Sequence, residues 1–311
     1  SDQTLALVDL TQDTLFPEML DISFGDPEPP PAEEVVISGS GRFAYVRQFG
    51  ADVILSVDLQ DRQVQQLPVG ANPTDLDLTP DGLEAVVVSR LDHQLWSFVA
   101  EDPSLAPVVT DLPLDLDLGQ VLFDPVGEQA IVYTTAALED EVVVWDLGDQ
   151  VDVVKLVKPL RSLSITPTGE SLMAFHKQLN APDADPSGPF YDAFALSLID
   201  MRDMRRRNEL LLTDEVKGYA NADNGVHGYF IMEDTPALVR VDYANLLYEQ
   251  VSLRSNPVYV GVLPEVFDDE ADSPPAWASQ EHPLGRMSFY DPDDDAVETI
   301  TGFELNSQIE D

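Results

Sequence analysis

One strand pattern recurs along the chain and constrains its fold more than any other feature: an apolar run closed by aspartate. It is written LALVD at Asp9, LSVD at Asp58, VVWD at Asp146, SLID at Asp200, VRVD at Asp242 and SFYD at Asp291. LWSFVA, ending at Ala100, takes the same place between the second and the third. The seven endings lie 49, 42, 46, 54, 42 and 49 residues apart. Self-similarity at such a period signals a repeat architecture, in which each unit buries its apolar faces against its neighbours.

A glycine turn lies between two further strands of each period: SGSGR at Gly41, TPDGL at Gly82, DPVGE at Gly127, TPTGE at Gly169 and ADNGV at Gly225. A mostly apolar run follows each one, namely FAYVRQ, EAVVVSR, QAIVYTT, SLMAFHK and HGYFIME. Each period therefore reads as a first strand, a glycine turn, a second strand, a loop, a third strand ending in Asp, a turn and a fourth strand. No long helical periodicity interrupts this alternation. A four-stranded antiparallel unit of that length has the size of a propeller blade, and radial repetition protects sheet edges that one blade alone would expose.

The expected fold is all-β, a seven-bladed β-propeller forming one domain over 1–311. The blades fall at about 1–31, 32–70, 71–115, 116–158, 159–214, 215–255 and 256–311. The N-terminal blade is incomplete, offering only its third and fourth strands in LALVDL and roughly FPEMLDIS. Its inner strands are expected from residues before Ser1, from the tail GFELNSQIED, or from another chain. GDPEPPPAEE (25–34) is too polar and proline-rich for a strand and reads as a surface linker. The stretches FAYVRQ (43–48), VILSVDL (53–59), PVGANPTDLDLTPDG (68–82) and VVVWDL (142–147) resemble the YVTN-type seven-bladed propellers of bacterial and archaeal surface and periplasmic proteins. The signature itself is degraded here to Tyr45-Val46-Arg47-Gln48. The resemblance implies an exported protein, periplasmic or at the cell surface, with any signal segment removed or outside this chain. It leaves function open, because the fold hosts binding proteins and enzymes alike.

Acidic residues outnumber basic ones 58 to 16, a formal charge of −42. Such a surface repels nucleic acid and anionic lipid while favouring cations and basic partner surfaces. No apolar run approaches the ~20 residues that span a bilayer, so no direct membrane insertion is expected. The absence of cysteine excludes thiolate metal sites, cysteine nucleophiles and covalently attached haem.

No nucleophile elbow, phosphate loop, dinucleotide fingerprint or His-Glu-x-x-His motif is present. The propeller topology nevertheless gathers scattered residues. Loops joining second to third strands and crossovers between blades share one end, called the top. That end is expected to receive Arg47, Arg90, His93, Lys158, Arg161, His176, Lys177, Lys217, Arg254 and His282. A locally basic mouth, with Glu233 at its edge, is suited to an anionic ligand or an acidic partner segment. Alternatively, these cations pair with acids such as Asp75, Asp92, Glu233, Asp234 and Glu281 and simply tie blades together. His93, His176 and His282 are also weighed as a zinc or copper set.

Two insertions break the rhythm. QLNAPDADPSGPFYD (178–192) joins a second to a third strand and should overhang the top, where long loops on rigid scaffolds carry binding function or are merely tolerated. EVFDDEADSPPAWA (265–278) and DPDDD (291–295) fall at the opposite end. Asp291, Asp293, Asp294 and Asp295 offer oxygens suited to calcium, although the spacing is not that of an EF-hand and a solvated turn is the competing reading. MRDMRRR (201–207), the basic cluster of that end, reads as counter-charge to neighbouring acids or as a dock for an acidic partner. Trp96 and Trp145 are expected to pack between blades.

The favoured reading is a non-catalytic, exported binding or assembly scaffold whose partner is another protein or a cell-envelope assembly, with no cofactor unless calcium. The alternatives are a lactonase-like hydrolase using His176, Glu233, Arg90 and His282 in the central mouth, and a propeller subunit of an envelope redox complex.

Overall fold

Each glycine turn marked in the sequence closes a hairpin between a first and a second strand. At the turn after Leu78, the Thr79 amide donates to Glu84 O at 2.9 Å and Gly82 N donates back to Thr79 O at 2.8 Å. Gly82 sits at φ +70°, left-handed backbone that costs an L-residue about 1–2 kcal/mol. Gly41, Gly127, Gly169 and Gly225 repeat the same conformation. The computed structural model describes residues 4–8, 16–24, 28, 30–148, 150–264 and 274–302. Asp9, most of the acidic insertion (265–273) and the tail from 303 onward lie outside the described residues.

The described residues form seven antiparallel sheets and no helix. A two-stranded sheet pairs β1 (Thr4–Leu7) with β2 (Glu18–Asp21). Six four-stranded meanders follow in chain order. The first is β3 (Ala32–Ile37), β4 (Phe43–Gln48), β5 (Val53–Asp58) and β6 (Gln63–Pro68). The second is β7 (Pro73–Leu78), β8 (Glu84–Ser89), β9 (Gln94–Val99) and β10 (Val108–Asp111). The third is β11 (Gln120–Phe123), β12 (Ala130–Tyr133), β13 (Glu141–Trp145) and β14 (Val151–Lys155). The fourth is β15 (Leu160–Ile165), β16 (Ser171–His176), β17 (Phe194–Asp200) and β18 (Asp203–Leu212). The fifth is β19 (Val216–Asn221), β20 (His227–Met232), β21 (Ala237–Asp242) and β22 (Leu247–Ser252). The last is β23 (Pro257–Val262), β24 (Ala276–Gln280), β25 (Arg286–Asp291) and β26 (Ala296–Thr301). The architecture is that of the all-β propeller class, with a two-stranded N-terminal sheet.

The strands ending at or next to Asp58, Asp146, Asp200, Asp242 and Asp291 are each third in their sheet, and the aspartate builds the following turn. Asp58 Oδ1 accepts the amides of Gln60 and Asp61, both at 2.9 Å. Asp146 Oδ1 accepts from Gly148 at 2.9 Å, Asp200 Oδ1 from Arg202 at 2.9 Å, and Asp242 Oδ1 from Asn245 at 3.1 Å. A carboxylate at a strand end satisfies amides that have left the ladder, which is why this position recurs as Asp.

The chain divides into two compact units, residues 1–137 with 141–154 and residues 138–140 with 155–311. In the first unit, Ile22 packs with Val46 and Leu55; Tyr45, Ile54 and Leu67 pack with Leu76, Val87 and Phe98; and Val86, Val88 and Leu95 meet Val121, Phe123 and Trp145. In the second, Phe175 and Leu198 meet Phe230 and Val239, while Tyr229 and Leu238 meet Ala276 and Tyr290. Most second and third strands are buried on both faces, so neighbouring sheets share cores in which each enclosed aliphatic side chain contributes roughly 2 kcal/mol. Trp145 lies in such an inter-sheet core, as does half-buried Trp96.

Five first strands begin with a bulge, leaving Glu33, Thr74, Arg161, Lys217 and Val258 without a cross-strand partner. A bulge turns its extra residue away from the ladder. Three of these five carry charges, and two were expected in the basic mouth.

Candidate functional site

In the first unit, the bulge at Glu33 brings two glutamates to one arginine. Arg47 Nε donates to Glu34 Oε2 and Nη1 to Glu33 Oε2, both at 2.9 Å, and Nη1 also reaches Pro73 O at 3.3 Å. Glu34 Oε2 accepts the Leu76 amide at 3.0 Å, so the ion pair ties β3 to β7. The relation repeats one sheet further on, where Asp75 Oδ2 accepts the Val121 amide of β11 at 2.7 Å. Burial, with Glu34 and Asp77 nearby, pushes the Asp75 carboxyl up to about 6. Arg90 pairs with Asp117 at 3.4 Å, and its guanidinium lies so close over Gly119 that a Cβ there would collide with it. His93, at φ +52°, directs Nδ1 to Leu116 O at 3.1 Å.

In the second unit, the bulged Arg161 donates to Glu215 at 2.5 Å and to Val216 O at 2.8 Å. Lys217 Nζ lies 3.9 Å from Glu233 Oε1. His176 is buried at the end of β16. Its Nδ1 meets Lys158 O and its Nε2 meets Ser197 Oγ, each at 2.8 Å. A carbonyl can only accept, so Nδ1 carries the proton and the Ser197 hydroxyl donates to Nε2. Burial and the neighbouring Lys158 charge depress this imidazole to about 4. Lys177 is half-buried, its amide on Pro159 O. The Arg254 amide donates to Gln280 Oε1 at 3.1 Å, and His282 Nδ1 accepts the Leu284 amide at 3.2 Å.

Of the expected cations, Arg47, Arg90, Arg161 and Lys217 thus meet local carboxylates, and His176 has no ring nitrogen left for a metal or a substrate. Among the described residues, no three His, Asp or Glu side chains converge in a way that would hold a metal ion. In the Asp291–Asp295 turn, Asp291 Oδ1 accepts the amides of Asp293 and Asp294, at 2.9 and 3.4 Å. Asp295 Oδ1 accepts the Tyr290 hydroxyl at 3.1 Å.

A different feature of the second unit forms a cavity. The insertion 178–192 folds back over the segment 155–158 and encloses about 260 Å3 lined by Asp140, Lys155, Leu156, Asp183, Phe190 and Tyr191, among others. Its anchor is Lys158, a residue only 3% exposed. Nζ donates to Gln178 O at 2.7 Å, Phe190 O at 2.8 Å and Asn180 Oδ1 at 2.9 Å. All three acceptors are neutral, and burial holds the amine below the usual lysine range. Asn180 passes the charge on, its amide donating to Asp192 Oδ1 at 2.6 Å. At the rim, Lys155 Nζ lies 3.4 Å from Asp140 and 3.6 Å from Asp183. Tyr191 is exposed. Sequence reasoning singled out this loop, but not Lys158 as the group that orders it. The signal was a lysine in an apolar context, Leu-Val-Lys-Pro-Leu, directly before a first strand.

No family model matches the chain, and no curated protein matches it in sequence. Among solved structures, Kuenenia stuttgartiensis hydrazine synthase aligns with a TM-score of 0.51 at 16% identity, over 96% of this chain and 89% of that one. Dihydro-heme d1 dehydrogenase NirN, in complex with DHE, aligns with a TM-score of 0.52 at 15% identity, over 93% of this chain and 62% of that one. Both are β-propeller proteins, and at these identities the likeness concerns the fold. No helix among the described residues is long and apolar enough to cross a membrane.

Proposed function

We propose that the protein is a non-catalytic binding or assembly scaffold whose partner, another protein, docks where the 178–192 loop overhangs the sheets of the second unit. The observation carrying this reading is the loop itself: a long insertion held by a buried lysine and shaped into a cavity rather than left as an open excursion. Ordering such a loop costs conformational entropy, and a preorganised cavity avoids that cost when a partner binds. The basic-mouth version is less favoured, because an anion would first have to displace Glu33 and Glu34 from Arg47, Asp117 from Arg90 and Glu215 from Arg161. The cavity suits the opposite charge. Asp140, Asp183 and Asp185 outnumber Lys155 and Lys158, Tyr191 offers an aromatic face, and the chain as a whole is strongly anionic. A lysine or arginine side chain of a basic partner surface fits that chemistry. Export to the periplasm or cell surface goes with this reading on the strength of the YVTN-type resemblance.

Calorimetric titration with short arginine-rich peptides tests the site. Saturable binding at low salt, weakened at least tenfold by Tyr191→Ala and by Asp183→Lys, is expected. Absence of binding, or equal binding by both variants, would exclude the cavity as the docking point.

A further inference from the structure

One irregular hairpin of the second unit concentrates positive charge. Four of the chain's 16 Lys and Arg residues stand within MRDMRRR, as Arg202, Arg205, Arg206 and Arg207. In the first, fifth and last of the four-stranded sheets the third strand passes to the fourth by a tight turn with regular pairing, as from Asp58↔Gln63 to Val57↔Val64. Here Asp200 pairs with Asp203, yet the next pair is Ile199 with Arg207. Met204, Arg205 and Arg206 therefore have no cross-strand partner, and both arginines are exposed. A ladder that gives up three residues re-aims side chains, and such bulges are retained where a side chain has work to do outside the sheet.

The bulge opens on a cavity of about 190 Å3 at the end of the sheets opposite the 178–192 loop, lined by Glu170, Asp200, Arg202, Arg206, Asn224 and Tyr243, among others. Each lining arginine holds a carboxylate of its own chain. Arg206 Nη1 donates to Asp200 Oδ2 at 2.7 Å while Nη2 donates to Ala244 O at 2.7 Å, and Arg202 Nη2 donates to Glu170 Oε1. These pairs show that the guanidinium forks are placed for carboxylates. Arg202 uses one nitrogen in its side-chain bonds, so two directions of its fork face solvent, and its side chain is 75% exposed. Exposed pairs of this kind contribute little and exchange readily. Arg205 has no side-chain partner among the described residues.

We infer that the bulge at 204–206, with Arg202, forms a binding site for a carboxylate-rich segment of a protein partner. The acidic segment lies along the exposed arginines and exchanges with Glu170 at Arg202, using the bidentate geometry that arginine offers carboxylates. A carboxylate partner is favoured over a phosphate one because Arg202 and Arg206 already hold carboxylates of their own chain.

The test is fluorescence anisotropy of a labelled glutamate decamer, with a glutamine decamer and inorganic tripolyphosphate as comparisons. The wild-type protein should bind the glutamate peptide saturably at low salt and lose it as salt rises. Arg202→Glu with Arg205→Glu should weaken binding at least tenfold, and Arg205→Glu alone severalfold with an unchanged melting curve, since that side chain packs on nothing described. Arg62→Glu, on the first unit, should leave binding unchanged. No saturable binding would overturn the inference. So would equal loss in Arg62→Glu, or Arg205-dependent binding of tripolyphosphate without binding of the peptide. Tyr191→Ala belongs to the opposite end and should have no effect, which separates this site from the loop cavity.

Discussion

The ammonium of Lys158 lies 2.9 Å from Oδ1 of Asn180, and this contact fastens a fifteen-residue insertion to the crossover beneath it. With Gln178 O and Phe190 O as its other acceptors, the amine reaches both ends of the loop. A methionine would fill the same volume without donating. It would leave Gln178 O, Phe190 O and the Asn180 carbonyl without their buried donor, and each lost partner costs about 1–3 kcal/mol. The loop, rather than the sheets, should bear that loss. Lys158→Met is therefore expected to speed proteolytic cleavage within 182–187 at least tenfold while β16 and β17 stay folded. Unchanged cleavage in a timed digest would show that the loop is held by other means.

Asp75 gives a prediction about stability whose sign follows from its environment. Its carboxyl is raised to about 6 by burial, while in the unfolded chain it titrates at its ordinary value near 3.8. The native state then binds more protons between those values, so this group's contribution falls as pH rises from about 4 to about 6. Above 6 the buried carboxylate is a net cost. Asp75→Asn removes the charge and keeps a carbonyl for the Val121 amide, so it should stabilise the protein by about 2 kcal/mol at pH 7.5. The gain should nearly vanish at pH 4. Urea denaturation at the two pH values measures it, and a gain independent of pH would assign it to something other than this titration.

The fold was legible in the sequence because its markers act locally. Asp58 hydrogen-bonds amides two and three residues ahead, and Gly82 closes a turn with Thr79, so both leave their trace at fixed positions in most periods. The site was less legible because its chemistry depends on direction. Arg161 meets Glu215, 54 residues away, only because a one-residue bulge turns it toward the neighbouring first strand. Nothing in Leu-Arg-Ser-Leu-Ser-Ile announces that bulge. His176 ends a strand whose six residues are all buried, so alternation could not tell which way its ring points. The carbonyl of Lys158 and the hydroxyl of Ser197, distant in sequence, decide it.

Two of the repeated glycines separate backbone strain from crowding. Gly41 and Gly225 have nearly the same conformation, φ +74° and +68°. A Cβ on Gly41 would meet nothing within 4 Å, whereas one on Gly225 would lie 2.5 Å from Thr168 Oγ1 and 2.6 Å from its methyl. Gly41→Ala should cost about 1 kcal/mol from the left-handed backbone alone. Gly225→Ala adds overpacking of about 1–3 kcal/mol, because Thr168 must move. Thermal melts of the two variants should differ accordingly. Equal destabilisation would mean that the Thr168 side chain turns away freely.

His176 is the histidine that base catalysis at neutral pH would need freed, and its contacts argue against that role. A general base works best with a pKa near the operating pH and a lone pair aimed at its substrate. Here Nε2 is engaged by Ser197 Oγ, Nδ1–H by Lys158 O, and burial holds the imidazole near 4. A depressed histidine stabilises the native state fully above its unfolded value of about 6.5, and that contribution is lost as pH falls toward 4. The full difference is about 3 kcal/mol, enough to steepen acid unfolding visibly. The imidazole resonances of His176 should therefore stay fixed from pH 8 to 5 and carry the Nδ1–H signature throughout. His176→Gln can both donate and accept in the same place without titrating, so it should flatten the loss of stability between pH 6.5 and 4 while leaving the fold intact at pH 7. Resonances that move between pH 7 and 6 would mean that the ring reaches solvent and would restore His176 as a candidate base. If they stay still, the Lys158–His176–Ser197 chain is a structural clamp.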